Sequence, residues 1–273
     1  MAASLRRRPG PVNIPLGLSA GLFLQYGYGF AADLPRRVKD MPNGQRISTA
    51  LLMHAILTLG GFLLLLAVAL FLPAGDIRWA KGWLFLLVFL LLMAASVAYL
   101  WRTNPDIFVA RSRIRPGTKR WDKILMAFLL LSFFLLFPVA GLDAGRFHWS
   151  RVLLGLIILG YILFCAGFLL SIWVYRVNPF AEPSVRIQKE RGQKVIDTGP
   201  YALVRHPLYL GALLMCAGIP LALESFWALL PAAVGALVLV IRTMLEDHTL
   251  QNELEGYKEY TVRVHYRLIP GVW

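Results

Sequence analysis

An all-α membrane protein, a bundle of about six spanning helices paired as three hairpins, is the fold class this sequence predicts, and three observations predict it. The first is composition. Of 273 residues, 58% are hydrophobic and only 16% are charged, which lies outside the soluble globular range. The second is that the apolar residues fall in runs near the roughly 20 residues a helix needs to cross a bilayer core. The third is the placement of charge. When the runs are threaded alternately through a membrane, 24 of the 28 Lys and Arg residues fall on one side, as cytoplasmic loops require. Topology thereby accounts for the formal charge of +13. The basic residues form short blocks between apolar runs and not one basic face, so no nucleic-acid partner is implied.

The elements follow in order. Residues 1–48 are a basic N-terminal segment holding one ambiguous stretch, residues 14–30, "IPLGLSAGLFLQYGYGF". It follows three arginines and reads as a surface-lying or re-entrant segment, as an additional span, or as a signal-peptide core with a marginal cleavage site. If it spans, Arg6 to Arg8 change sides. Residues 49–177 hold four spans, at 49–72, 79–101, 121–141 and 150–177. Residues 178–273 form a third part with two more, at 207–219 and 225–245. The charge pattern puts both termini, the 111–120 loop and the 185–204 stretch on the cytoplasmic side, and Gly75 and Asp143 opposite. The setting is a plasma or bacterial-type inner membrane. Cys165 and Cys216 fall inside predicted spans with no partner at ligand spacing, so they are read as core residues and not as a metal site. No Walker loop and no glycine fingerprint after a strand occurs, which argues against a Rossmann fold.

Chemistry concentrates in "TGPYALVRHPLYLG", Thr198 to Gly211. A residue before proline is pushed out of the α region and proline suits the first helical turn, so His206 should be extended and Pro207 should begin the fifth span. Pro220 is expected to end it. Thirteen residues rise only about 20 Å, short of the roughly 30 Å hydrocarbon core. The motif therefore dips below the headgroups, where ionisable groups need protein or a water-filled cavity around them. A blander reading has Arg205 snorkelling to headgroups and Pro207 capping the helix.

A second cluster follows the sixth span. Arg242 and Glu246 are four apart and share a helix face, and an unpaired Arg242 at the membrane end would be costly. They are compatible with an exposed helical ion pair, and Tyr257, Tyr260, Arg263 and Arg267 with an interfacial belt. Two polar clusters flanking one short helical hairpin point instead to a site.

"GPYALVRHPLYLG", then Arg242-x-x-x-Glu246-Asp247, then "GYKEYTVRVHYRLIP" resembles the isoprenylcysteine carboxyl methyltransferase family and its phospholipid-methyltransferase relatives, over residues 178–273. The first four spans carry no motif of that family. The resemblance implies a helical bundle whose C-terminal part binds S-adenosylmethionine from the cytoplasmic side. It implies that Gln193, Val195 and Ile196, with Gly199, Pro200 and Tyr201, wrap the cofactor, and that Arg205, His206, Tyr209 and Gly211 continue that wall. Glu246 would hold the cofactor's polar end. Arg242 would face the reaction centre, with Tyr257, Tyr260 and Arg267 on the acceptor side and His206 or Glu246 as a base if the acceptor arrives protonated. These residue types suit a sulfonium cation, an amino-acid head and a purine. The acceptor stays open among a prenylcysteine-type carboxylate, a thiol, a lipid amine and a phenol. Two other classes remain: a sterol-reductase-like enzyme using a nicotinamide cofactor, whose usual "RHxNYxGD" differs from this chain after the His, and a membrane binding or transport protein without catalysis. Nothing in the sequence sets the oligomeric state.

Overall fold

The protein is described by a computed structural model covering residues 49–111 and 114–273; residues 1–48, with the ambiguous 14–30 stretch, lie outside the described residues. Helices α1 (Thr49–Ala74), α2 (Ala80–Thr103), the short α3 (Asp106–Arg111) and α4 (Arg120–Ala140) are followed by a π-helical extension, Gly141–Phe147. Then come α5 (Leu154–Val177), two 3₁₀ turns at Lys189–Arg191 and Gly199–Ala202, α6 (Pro207–Ala222), α7 (Leu229–Glu253) and α8 (Tyr257–Arg263). No strand occurs among the described residues. The all-α class stands. Four segments, Ala80–Thr103, Arg120–Phe147, Leu154–Val177 and Leu229–Glu253, are long and apolar enough to cross a membrane; Pro207–Ala222 is a shorter apolar helix, and α1 is apolar over its Gly60–Ala74 portion.

Phe85, Phe137 and Phe164 are fully buried. The Phe85 ring centroid lies 5.3 Å from that of Phe164 and 6.1 Å from that of Phe137, so three helices meet around one aromatic core. Long apolar side chains elsewhere point outward; Leu64, Leu91, Ile162 and Leu237 are all more than half exposed, as lipid-facing positions should be.

Helices α5 and α6 form the most extensive helix pair, and glycine explains why. A Cβ on Gly167 would lie 2.4 Å from the carbonyl oxygen of Gly211, and one on Gly218 would lie 2.6 Å from the amide nitrogen of Phe164. The backbones touch directly, the small-residue packing expected where lipid offers no hydrophobic drive between helices.

Two boundaries differ from the sequence expectation. Pro220 does not end α6, which runs to Ala222. In the last turn a proline forfeits one N–H, while Leu223 still donates to the Ile219 carbonyl at 3.0 Å and closes the turn. At 16 residues the helix is still only about 24 Å long. The third span was expected to stop at residue 141 but continues to Phe147. Its extension is held by Asp143, fully buried, which accepts from the Ser150 amide (2.8 Å), the Ser150 hydroxyl (2.6 Å), the Ser225 hydroxyl (2.6 Å) and the Trp227 amide (3.3 Å). That carboxylate ties the α4 extension to the α6–α7 turn. The ionisable residues discussed below collect at the opposite end.

Candidate functional site

Pro207 begins α6 and His206 precedes it with φ −125° and ψ 60°, out of the α region as a pre-proline residue must be. This irregular backbone is satisfied by protein. The Arg205 and His206 amides donate to the Tyr266 and Arg267 carbonyls, both at 2.9 Å, so the segment after α8 is laid against the start of α6.

Between them sits Asp247, fully buried. Arg205 reaches it as a two-pronged fork, Nε to Oδ1 at 2.8 Å and Nη2 to Oδ2 at 3.0 Å, and Arg205 Nη1 donates to the Val264 and His265 carbonyls. Oδ2 also accepts from Gln251 Nε2 (2.8 Å) and Arg267 Nε (2.9 Å). Oδ1 accepts from the Tyr257 hydroxyl (3.1 Å) and faces His206 Nε2 (3.2 Å). Burial raises the Tyr257 hydroxyl above the ordinary phenol range, and the Asp247 and Glu246 carboxylates push the same way, so Tyr257 remains a donor. A buried carboxylate is tolerated only with such partners. Asp247 stands in the quoted motif beside Glu246, but sequence reasoning gave it no role.

The second cluster does not form the helical ion pair that its spacing allows. Arg242 and Glu246 share a face of α7, yet each takes a different partner. Arg242 Nε donates to Asp122 Oδ1 at 2.7 Å, and Nη2 donates to the Pro183 carbonyl at 2.7 Å. Glu246 accepts from the Tyr209 hydroxyl. The Arg242 guanidinium carbon lies 5.3 Å from the Tyr209 ring centroid, a cation–π distance. His206 and Tyr209 stack in parallel with centroids 5.7 Å apart. Nothing in the motifs singles out Asp122; its signal in the sequence is one acid in the first turn of an apolar helix.

Most of the expected residues line one cavity: Gln193, Val195, Ile196, Tyr201, Arg205, His206, Tyr209, Arg242, Glu246, Tyr257 and Tyr260. Four do not. Gly211 is spent on the backbone contact with Gly167, and Gly199, at φ +60°, packs on Trp173. Pro200 is buried in the first turn of the 3₁₀ segment. Arg267 stacks over Trp273 at 5.3 Å as it binds Asp247. Along one wall, among the described residues, nothing hydrogen-bonds to the backbone amides or carbonyls of Lys194, Val195 and Ile196. That leaves a strip of free backbone donors and acceptors in the lining of the cavity that Tyr209 and Glu246 also border.

A second cavity, about 460 Å³, adjoins the first between α2, α3, α5 and α6. Met93, Val97, Leu100, Phe108, Phe168 and Ile172 are among its walls. Its two serines turn inward on their own helices: Ser96 donates to the Met93 carbonyl (3.0 Å) and Ser171 to the Gly167 carbonyl (2.9 Å). The lining is therefore apolar apart from Tyr175 and Arg111, the latter bordering both cavities. Arg111 lies 4.7 Å over the Tyr175 ring and donates to the Ala181 carbonyl at 3.3 Å.

Comparison with known proteins agrees with this part of the chain. Residues 156–255 match the family model described as phospholipid methyltransferase, which bears out the resemblance drawn from the motifs. The chain is also similar to the Delta(14)-sterol reductase of Mus musculus, 33% identical over 109 residues, covering 36% of this chain and 25% of the reductase. The chain thus spans about a quarter of that relative's length.

Proposed function

We infer, from the match of residues 156–255 to the phospholipid methyltransferase family model, that this chain is a membrane methyltransferase that uses S-adenosylmethionine and methylates a lipophilic acceptor. The observation that carries the reading is the meeting, in one cavity, of the Arg242 and Glu246 side chains with the unpaired backbone of residues 194–196. The residues present fit the cofactor's chemistry. Glu246 supplies a carboxylate for its ammonium. Tyr201, Tyr209, Tyr257 and Tyr260 supply aromatic faces for a cation. The free amides and carbonyls of Val195 and Ile196 suit a purine edge. Bound there, S-adenosylmethionine would supply an already activated methyl group.

The rest of the chemistry belongs to the chain. Three of the five Arg242 N–H groups have no partner among the described residues, so the guanidinium can hold an anionic acceptor group beside Tyr209. Glu246 and His206 line the same cavity and are candidate bases for a protonated acceptor, whereas Glu182, which also lines it, is tied to Arg186. Most of the rate would come from alignment and from a dry, charge-balanced site, since methyl transfer asks for little covalent help. The second cavity supports the lipophilic class. An apolar tail would occupy it, with its polar end at Arg111 and its reactive atom in the first cavity. In this reading the site faces the cytoplasm, because the arginine-rich loops cluster at its end of the bundle.

The similarity to a sterol reductase favours one second reading, hydride transfer from a nicotinamide cofactor in the same cavity. The two are separated by incubating protein in nanodiscs with methyl-labelled S-adenosylmethionine and a lipid extract. Label should enter an organic-extractable product, and no reaction should consume NADPH. NADPH consumption without label transfer would establish the reductase reading.

A further inference from the structure

We propose that Asp122 is a positioning residue for the reaction: it fixes the Arg242 guanidinium and one wall of the cofactor cavity in a single arrangement. The proposal rests on the reading of Arg242 as the group that meets the acceptor. Asp122 is fully buried in the first turn of α4 and is absent from the cavity lining, so it can act only through what it touches. Its two oxygens serve two different elements. Oδ1 accepts from Arg242 Nε on α7, and Oδ2 accepts from the Val185 amide, both at 2.7 Å.

Arg242 closes the ring by donating to the Pro183 carbonyl. The same three-residue wall is fastened again from the α4 side: the Lys119 amide donates to the Val185 carbonyl at 3.2 Å, and the Thr118 hydroxyl to the Ser184 hydroxyl at 3.0 Å. Pro183, Ser184, Val185 and Arg242 all line the cavity. Simple neutralisation of a membrane arginine needs only one carboxylate nearby. Here the carboxylate is shared in a bridging geometry between a backbone amide and the guanidinium edge that points away from the free N–H groups. Holding that edge leaves the other aimed, and a misplacement of about 1 Å can cost on the order of a hundredfold in rate.

The test compares Asp122→Asn, Asp122→Glu and Arg242→Gln with wild type and with Lys123→Ala, an exposed neighbour. Two readouts are taken in nanodiscs: steady-state methyl transfer with calorimetric S-adenosylhomocysteine affinity, and hydrogen–deuterium exchange of the peptide spanning residues 180–190. Asp122→Glu keeps the charge but lengthens the arm. It should lower kcat by roughly tenfold to a hundredfold while the affinity for S-adenosylhomocysteine moves by less than about threefold. Exchange at residues 180–190 should rise in all three variants and stay unchanged in Lys123→Ala. A folded Asp122→Glu with wild-type kcat and wild-type exchange overturns the proposal and leaves Asp122 as a counter-ion. If wild-type protein transfers no methyl group, the functional reading fails separately. Exchange then decides the positioning claim alone: an unchanged rate in Asp122→Asn and Arg242→Gln refutes it.

Discussion

Replacing Asp247 by Asn should destabilise the protein far more than any other isosteric change at this end of the bundle. The carboxylate makes six polar contacts with five residues: two from the fork of Arg205 and one each from the side chains of Arg267, Gln251 and Tyr257 and the His206 ring. An amide oxygen can keep those on one oxygen, while the new NH₂ confronts the donors on the other. Arg205, 7% exposed, is left without its counter-charge. Breaking a buried ion pair from one side costs about 3–5 kcal/mol. At roughly 2–4 °C per kcal/mol for chains of about this size, the apparent unfolding midpoint should fall by about 10 °C. The assay is intrinsic-fluorescence melting in one detergent at one scan rate, because membrane-protein midpoints are partly kinetic. Asp247→Leu combined with Arg205→Met should recover part of the loss, since replacing both partners of such a pair is often close to neutral. A midpoint within about 2 °C of wild type for Asp247→Asn, with the protein folded, would refute the placement of Asp247 at the centre of the network.

Other outcomes follow from the same geometry. Gly167→Ala, whose Cβ would meet the Gly211 carbonyl oxygen at 2.4 Å, should cost about 1–3 kcal/mol in melting assays, whereas Gly155→Ala, with open space around its Cβ, should be neutral or slightly stabilising. His206→Ala and Glu246→Gln should each weaken S-adenosylhomocysteine binding by calorimetry, and their effects should not add, because both reach one ligand through coupled neighbours. Ile172→Trp, which fills the second cavity, should lower acceptor use and leave S-adenosylhomocysteine affinity unchanged; equal loss of both would argue against separate compartments. Labelling with an impermeant thiol reagent should place cysteines introduced at positions 194 and 143 on opposite sides of the membrane.

Much of the fold was legible because a bilayer imposes a coarse rule: apolar runs of spanning length must be helices, and their order is their topology. The start of α6 was legible too, since Pro207 fixes it sterically. The end of α6 was not. Pro220 punctuates strongly in sequence, but in the last turn its effect depends on bonds made by Leu223 and Ser225. Nor could the π extension through Phe147 be seen, because it rests on Asp143 meeting Ser225, 82 residues away in the chain. At the site, motif spacing gathered most of the residues that line the cavity but left their partners open. Helical periodicity offers Arg242 and Glu246 to each other, and only the packing of α4 against α7 reveals Asp122 as the competitor. Gly211 shows the reverse: the motif marked it for a ligand, and the neighbouring helix uses the space.

The central claim is that the cavity beside Arg242 and Glu246 is a site for S-adenosylmethionine, and calorimetry on the nanodisc-embedded protein tests it most directly. S-adenosylhomocysteine should bind with micromolar-range affinity, weakened in Glu246→Gln, and NADPH should give no heat above dilution. Binding and stabilisation by NADPH alone, with S-adenosylhomocysteine silent, would contradict the account, since a ligand raises apparent stability only by binding the folded state.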